Sequence, residues 1–145
     1  SVNTHDMPPA AGYLEYGHVK LREQLGLLSG PVEEFQKSAT AEHNAMLNML
    51  VEEGYLDKAA LDDEAANENE IVDALYRGLK GSPCKLMAAS IVDAVGEKRT
   101  QNQPGTNNEY PNWRIPLADG EGNVVPLEKL FDEPRLQEIT AIMRG

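Results

Sequence analysis

The stretch Cys84-Lys85-Leu86-Met87-Ala88-Ala89-Ser90-Ile91-Val92-Asp93-Ala94-Val95 decides how much of this chain is sheet. Ser82-Pro83 ahead of it suits a helix start, whereas the alternation of Cys84, Leu86 and Ala88 with Lys85, Met87 and Ala89 suits a buried strand. A short apolar run of this kind fits either element by periodicity alone. Upstream of it the chain reads as helical. Leu21, Leu25 and Leu28 fall at i, i+4 and i+7 on one helical face, ended by Gly30. Ser29-Gly30-Pro31 followed by Glu33 and Glu34 places proline and acids in a first turn, where the helix dipole favours them. Apolar Phe35, Ala39, Met46, Met49 and Leu50 continue that helix to Gly54, a C-cap. A short helical turn runs from Asp57 to Leu61. Asn67 with Glu70 resembles a capping box, opening a helix with Ile71, Leu75 and Leu79 on one face and Gly81-Ser82-Pro83 at its end.

Beyond the ambiguous run, residues 101–114 hold Pro104-Gly105, Asn107-Asn108 and Pro111-Asn112, a dense set of turn signals. Asp119-Gly120-Glu121-Gly122-Asn123 reads as a hairpin tip or a loop. A last helix runs over 134–143 with Leu136, Ile139 and Met143 on one face. At the other end, Pro8-Pro9 forces extended or turn geometry on the short polar segment 1–9.

The 145 residues fit one domain with material for a core. Thirteen Lys plus Arg against 24 Asp plus Glu give a net charge of −11, with no basic cluster, which argues against nucleic acid or an anionic membrane as partner. The single Cys makes no internal disulfide and no Cys-rich zinc site, so the cytoplasm is the expected compartment. No run approaches the roughly 20 apolar residues of a membrane span, and the polar start is not a signal peptide. The chain opens on Ser-Val-Asn-Thr-His-Asp without an initiator Met, as a processed, trimmed or partial sequence does.

Most familiar chemistries are excluded by pattern. No Gly-x-Ser-x-Gly marks a nucleophile elbow, and no Gly-rich loop of the phosphate-binding kind is present. His5, His18 and His43 lack the i, i+4 spacing of a zinc helix, and Asp62-Asp63-Glu64 lacks calcium-loop spacing, so no metal or organic cofactor is implied. His43, on or beside an apolar helix face, reads as a core or boundary residue. Cys84, in an apolar run, reads as a buried, inert thiol. Two segments remain unusual. Thr4-His5-Asp6 stands directly before Met7-Pro8-Pro9. Gln101-Asn102-Gln103-Pro104-Gly105-Thr106 precedes Glu109-Tyr110-Pro111-Asn112-Trp113-Arg114, which holds the only Trp. Aromatic faces stack on sugar C–H surfaces while amides, carboxylates and guanidinium groups match hydroxyls, so carbohydrate recognition is one reading. The other makes Trp113 a core plug and His5-Asp6 a helix cap.

Thr4-His5-Asp6-Met7-Pro8-Pro9 with Gly12-Tyr13, Arg22 and Leu25-Gly26-Leu27 resembles the 4-α-glucanotransferases, the amylomaltase or disproportionating enzymes. So does Asn102-Gln103-Pro104-Gly105-Thr106 followed by Tyr110-Pro111-Asn112-Trp113-Arg114. The resemblance spans nearly the whole chain and matches the C-terminal part of that family. It implies an α/β fold, the C-terminal fragment of a (β/α)8 barrel forming a single unit over 1–145, mostly helical with one or two short strands; residues 84–91 become the eighth strand. The family moves α-1,4-glucan segments between maltodextrin acceptors by a retaining double displacement, with the active site at the C-terminal strand ends.

By the same resemblance Asp6 is the family's third carboxylate, which binds sugar hydroxyls and stabilises the transition state. His5 is its sugar-binding neighbour, Asn102 to Thr106 (Pro104 among them) form the substrate-side loop, and Trp113 and Arg114 shape that loop, in substrate contact or structurally. A retaining enzyme needs a nucleophile and an acid about 5–5.5 Å apart. In this family both lie upstream of the His-Asp motif, so the chain by itself is expected to be inactive. The exposed strand edges of a cut barrel predict self-association. A hydrolytic relative is an alternative within enzymes. The alternative from another class is an independent acidic helical module that binds a protein partner. Convergence of His5, Asp6 and Asn102 at one surface separates the glucanotransferase from the module.

Overall fold

A computed structural model describes residues 1–145. Seven α-helices and one 3-10 turn follow in order: α1 (Ala10–Leu14), α2 (Gly17–Gln24), α3 (Val32–Glu52), η1 (Lys58–Asp63), α4 (Glu68–Gly81), α5 (Ile91–Ala94), α6 (Leu127–Leu130) and α7 (Pro134–Arg144). No helix is long and apolar enough to cross a membrane.

The long helix α3 forms as its acidic first turn, Glu33 and Glu34, predicts. It stops in a Schellman arrangement: Gly54 takes φ +75° while its N–H donates to Val51 O and the Tyr55 N–H to Leu50 O. Its buried line is Ala39, His43, Leu47 and Leu50, so Met49, expected on the apolar face, lies half-exposed. His43 is buried, as expected; its Nε2 lies 2.6 Å from Glu64 Oε2, and its ring packs on Tyr16 at 5.0 Å. Helix α2 ends earlier than Gly30, because Gly26 at φ +66° lets the Leu27 N–H close back on Arg22 O. Asp57 caps η1 by accepting from the Ala59 N–H. Asn67 does not act as a capping box. Its side chain turns back to donate to Asp63 O at 2.8 Å, tying η1 to α4 instead.

Helix α4 is the hub, with two buried faces. Ile71 and Ala74 join Leu47, Leu50, Leu56 and Ala60 in one apolar cluster against α3 and η1. Val72 and Tyr76 join Ala10, Ala94 and Ile139 in a second, against α1, α5 and α7. Arg135 of α7 clasps Asp73 of α4 at 2.7 and 3.1 Å, and Lys80 donates to Met143 O at 2.9 Å at the far end. Clustered burial of this kind is the main favourable term in holding the helices together.

The expected short strands do not form within this chain. Residues 84–90 precede α5 without strand pairing, and no backbone hydrogen bond joins 85–89 to another segment. A strand exists only with a ladder partner, and no segment of the chain lies alongside this one to provide it. Cys84 is accordingly exposed, not buried, and Leu86 is 93 % exposed. The only β pairing is an isolated antiparallel bridge, Ala118 to Val124, that closes the expected hairpin tip over 119–123.

Candidate functional site

The two unusual segments meet. Residues 1–9 make no helix, and a turn closed by the Met7 N–H on Thr4 O presents His5 and Asp6 at the surface. The Asn102 backbone N–H donates to His5 O at 3.0 Å, and its side-chain amide donates to Asp6 Oδ1 at 2.7 Å. His5 Nε2 lies 3.2 Å from the same oxygen. The Trp113 ring stands 5.0 Å from the His5 ring, tilted by 38°. Asp6 Oδ2 accepts no hydrogen bond from the chain, so an acceptor remains open at the surface.

Trp113 does not plug a core; it is 64 % exposed. Its backbone sits in the left-handed region at φ +61°, where a bulky residue is held only if its surroundings impose it. They do. The Trp113 N–H donates to Gln101 O at 2.9 Å, and Asn112 Oδ1 accepts from the Gln103 N–H while its amide donates to Thr106 Oγ1. Nor does Asp6 cap a helix. Helix α1 starts at Ala10, and its first N–H goes to Asp93 at 2.8 Å.

The loop's base is fixed by Glu97, nearly fully buried, which accepts from the backbone N–H groups of Lys98, Arg99 and Ala118 and from the Arg99 guanidinium. Burial alone pushes this carboxyl up, but the Arg99 side chain and the backbone donors outweigh it and hold it below the usual carboxylate range. Tyr110 donates to Thr100 O at 2.7 Å inside the same loop. Gly12 lets α1 approach this base: a Cβ there would lie 2.2 Å from Lys98 O.

Of the six residues expected at the site, the structure brings together His5, Asp6, Asn102 and Trp113. Pro104 and Arg114 are exposed on the same loop, but no hydrogen bond or ring contact ties their side chains to the other four. A cavity of about 200 Å³ opens beside His5, lined also by Thr4, Ser90 and Gln101. No group of three or more His, Cys, Asp or Glu side chains is disposed to hold a metal ion. Sequence reading missed Asn3 and Asp93, which bond each other beneath the site at 2.7 and 2.8 Å. The signal was there: Asp93 is a lone carboxylate in the apolar run Ile91-Val92-Asp93-Ala94-Val95, and a charge placed so is buried only with partners.

Comparison with known proteins finds relatives of one family. The profile of the 4-alpha-glucanotransferase family matches residues 1–120. A 4-alpha-glucanotransferase of Mycobacterium tuberculosis is 46 % identical over all 145 residues, which cover 20 % of its length. One from Haemophilus influenzae is 26 % identical over 140 residues, or 94 % of this chain and 19 % of that protein. The crystal structure of amylomaltase from Corynebacterium glutamicum superposes on 97 % of this chain with a TM-score of 0.85 at 36 % identity, and the match covers 21 % of that chain. The chain thus spans about a fifth of the length of the relatives it matches. With the family profile covering most of its residues, this chain belongs to the 4-alpha-glucanotransferase family.

Proposed function

We propose that this chain works as one part of a 4-α-glucanotransferase, the C-terminal portion of its (β/α)8 barrel, and contributes one wall of a maltodextrin site. The observation that carries this reading is the convergence of His5, Asp6, Asn102 and Trp113 at one exposed surface, with Asp6 and Asn102 96 residues apart in sequence. A helix cap and a core tryptophan, as an independent interaction module requires, are what these residues do not form. Residues 84–90, ahead of α5, serve as the eighth strand, paired to strands from the remainder of the enzyme.

In this reading Asp6 accepts hydrogen bonds from sugar hydroxyls through its open oxygen, while the Asn102 amide and His5 fix the carboxylate's orientation. Those bonds strengthen as oxocarbenium character develops on the distorted sugar, which lowers the barrier rather than only tightening binding. The Trp113 face stacks on the sugar ring, and Pro104 and Arg114 flank it on the same loop. The nucleophile and the acid come from other parts of the enzyme, and the reaction takes place in the cytoplasm.

Trp113 is the chain's only Trp, so its emission reports on the site. Titration of the purified chain with maltoheptaose shifts that emission saturably, the response is lost in His5→Ala, and no glucose is released from maltotriose above a heat-killed control. Unchanged emission at millimolar sugar, or transfer activity from the chain alone, contradicts the reading.

A further inference from the structure

We propose that Asp93 is a positioning residue for the His5–Asp6 loop: one buried carboxylate fastens both ends of the segment carrying those side chains and so sets their distance from Asn102 and Trp113. Its catalytic consequence rests on the function proposed above; its structural part does not.

The Asn3 side-chain amide, just before Thr4, donates to both Asp93 oxygens at 2.8 and 2.7 Å. The Ala10 N–H, just after Pro9, donates to Asp93 Oδ1 at 2.8 Å. Residues 4–9 are therefore held at both ends on one side chain. The carboxylate is itself held from behind: Tyr76 of α4 donates its hydroxyl to Oδ2 at 2.6 Å and accepts the Ser90 N–H at 3.0 Å. Asp93 also lies in α5, the element from which the chain runs through Glu97 into the loop bearing Asn102. Both halves of the site thus leave from one rigid joint.

Stability alone gives no reason for this arrangement. Asp93 is almost fully buried and has no cationic partner, only neutral donors. Burying a charge without a counter-ion is costly, and well-packed apolar residues in such places are often at least as stable. What the carboxylate provides that an apolar side chain does not is four directed acceptances converging from three segments. That specifies where residues 4–9 sit. Asp6 and His5 are exposed, and besides this clamp only Asn102 and the Trp113 ring hold them in place.

The test uses the 145-residue chain first. The rings of His5 and Trp113 are close enough for a nuclear Overhauser effect between them, and the Asn102 side-chain amide signals report its bond to Asp6. Asn3→Ala removes one end of the clamp; Asp93→Asn replaces one accepting oxygen with an amide donor that faces donors. In Asn3→Ala the His5–Trp113 effect is lost and the Asn102 amide signals move, while methyl signals of Leu47 and Ile71 keep their positions. If Asp93→Asn does not fold, Asn3→Ala decides. Wild-type intensity of the His5–Trp113 effect in Asn3→Ala overturns the clamp.

The second arm uses an enzyme of the relatives' length containing this chain. Asn3→Ala lowers kcat by about tenfold to a hundredfold, since small misplacements of a reacting group cost that much. Leu47→Ala, in the apolar cluster between α3 and α4, lowers the melting temperature and leaves kcat unchanged. Asn3→Ala on top of Asp93→Asn adds little further loss, as expected of two residues acting through one contact. Loss of the ring contact with wild-type kcat overturns the catalytic role of Asp6, not the clamp.

Discussion

The cluster between α3, η1 and α4 and the segment 93–103 both carry buried side chains, but of opposite kinds. The first is Leu47, Leu50, Leu56, Ala60, Ile71 and Ala74, apolar throughout. The second carries Asp93, Glu97, Thr100 and Gln103, four of the chain's six buried polar residues. Apolar burial is non-directional and sets how firmly helices hold together. Hydrogen bonds of buried carboxylates are directional, and they set where a loop goes. In this chain the helical half supplies stability and the polar half supplies the placement of His5, Asp6, Asn102 and Trp113.

The comparison breaks most readily on the apolar side. Leu50→Ala empties a site with no exposure and lowers stability by about 3–4 kcal/mol, in the range of buried leucine truncations. Urea denaturation reads this, and the folded fraction keeps the His5–Trp113 contact. Loss of that contact at low denaturant would show that the two regions are not separable.

Glu97→Gln is the matching change on the polar side. It keeps the shape but removes the charge and turns an amide towards donors. The expected loss is about 2 kcal/mol, less than for a fully buried pair because the Arg99 side chain is 44 % exposed. The pH dependence sharpens the point. With its carboxyl held below the usual range, Glu97 stabilises the fold fully above its unfolded-state value, and that contribution is lost as pH falls through the lower folded value. Asp93 runs the other way. Burial raises it, and the bonds from Tyr76, the Ala10 N–H and Asn3 recover only part of the shift. Its ionised form therefore costs stability above the folded value, and the cost fades as pH falls towards the ordinary carboxylate range. The Glu97→Gln variant should show a shallower acid-side decline than wild type in thermal melts from neutral to strongly acidic pH, by the share Glu97 contributes. An identical acid slope in both proteins contradicts the assignment.

How much of this was legible follows the same division. Helices α3, α4 and α7 were readable because apolar spacing and end signals such as Gly54, Pro83 and Pro134 are local. The meeting of His5, Asp6, Asn102 and Trp113 was not readable from spacing; only the resemblance of two motifs to one family joined them. Residues 84–89 misled because alternation shows what a segment can pair as, not whether a partner is there. The Asn67 side chain misled because a capping pattern competes with other local backbone acceptors, here Asp63 O four residues back. The Asn3–Asp93 bond spans 90 residues, and no local signal specifies a partner at that distance.

The smallest stability effect belongs to Trp113. At φ +61° a glycine is unstrained, so Trp113→Gly changes stability little or raises it by up to about 1 kcal/mol, measured by thermal melting. A clear loss would show that the ring supports the fold.

The most direct test of the central claim is Asp6→Asn in an enzyme of the relatives' length, with steady-state rates and melting temperature taken on one preparation. Asn keeps the size but removes the charge and replaces an acceptor by a donor. Hydrogen bonds to a charged group contribute about 1.5–3 kcal/mol each, and each 1.36 kcal/mol is about tenfold in rate. The account predicts a fall in kcat of roughly a hundredfold with an unchanged melting temperature. Wild-type kcat in the Asn variant would contradict it.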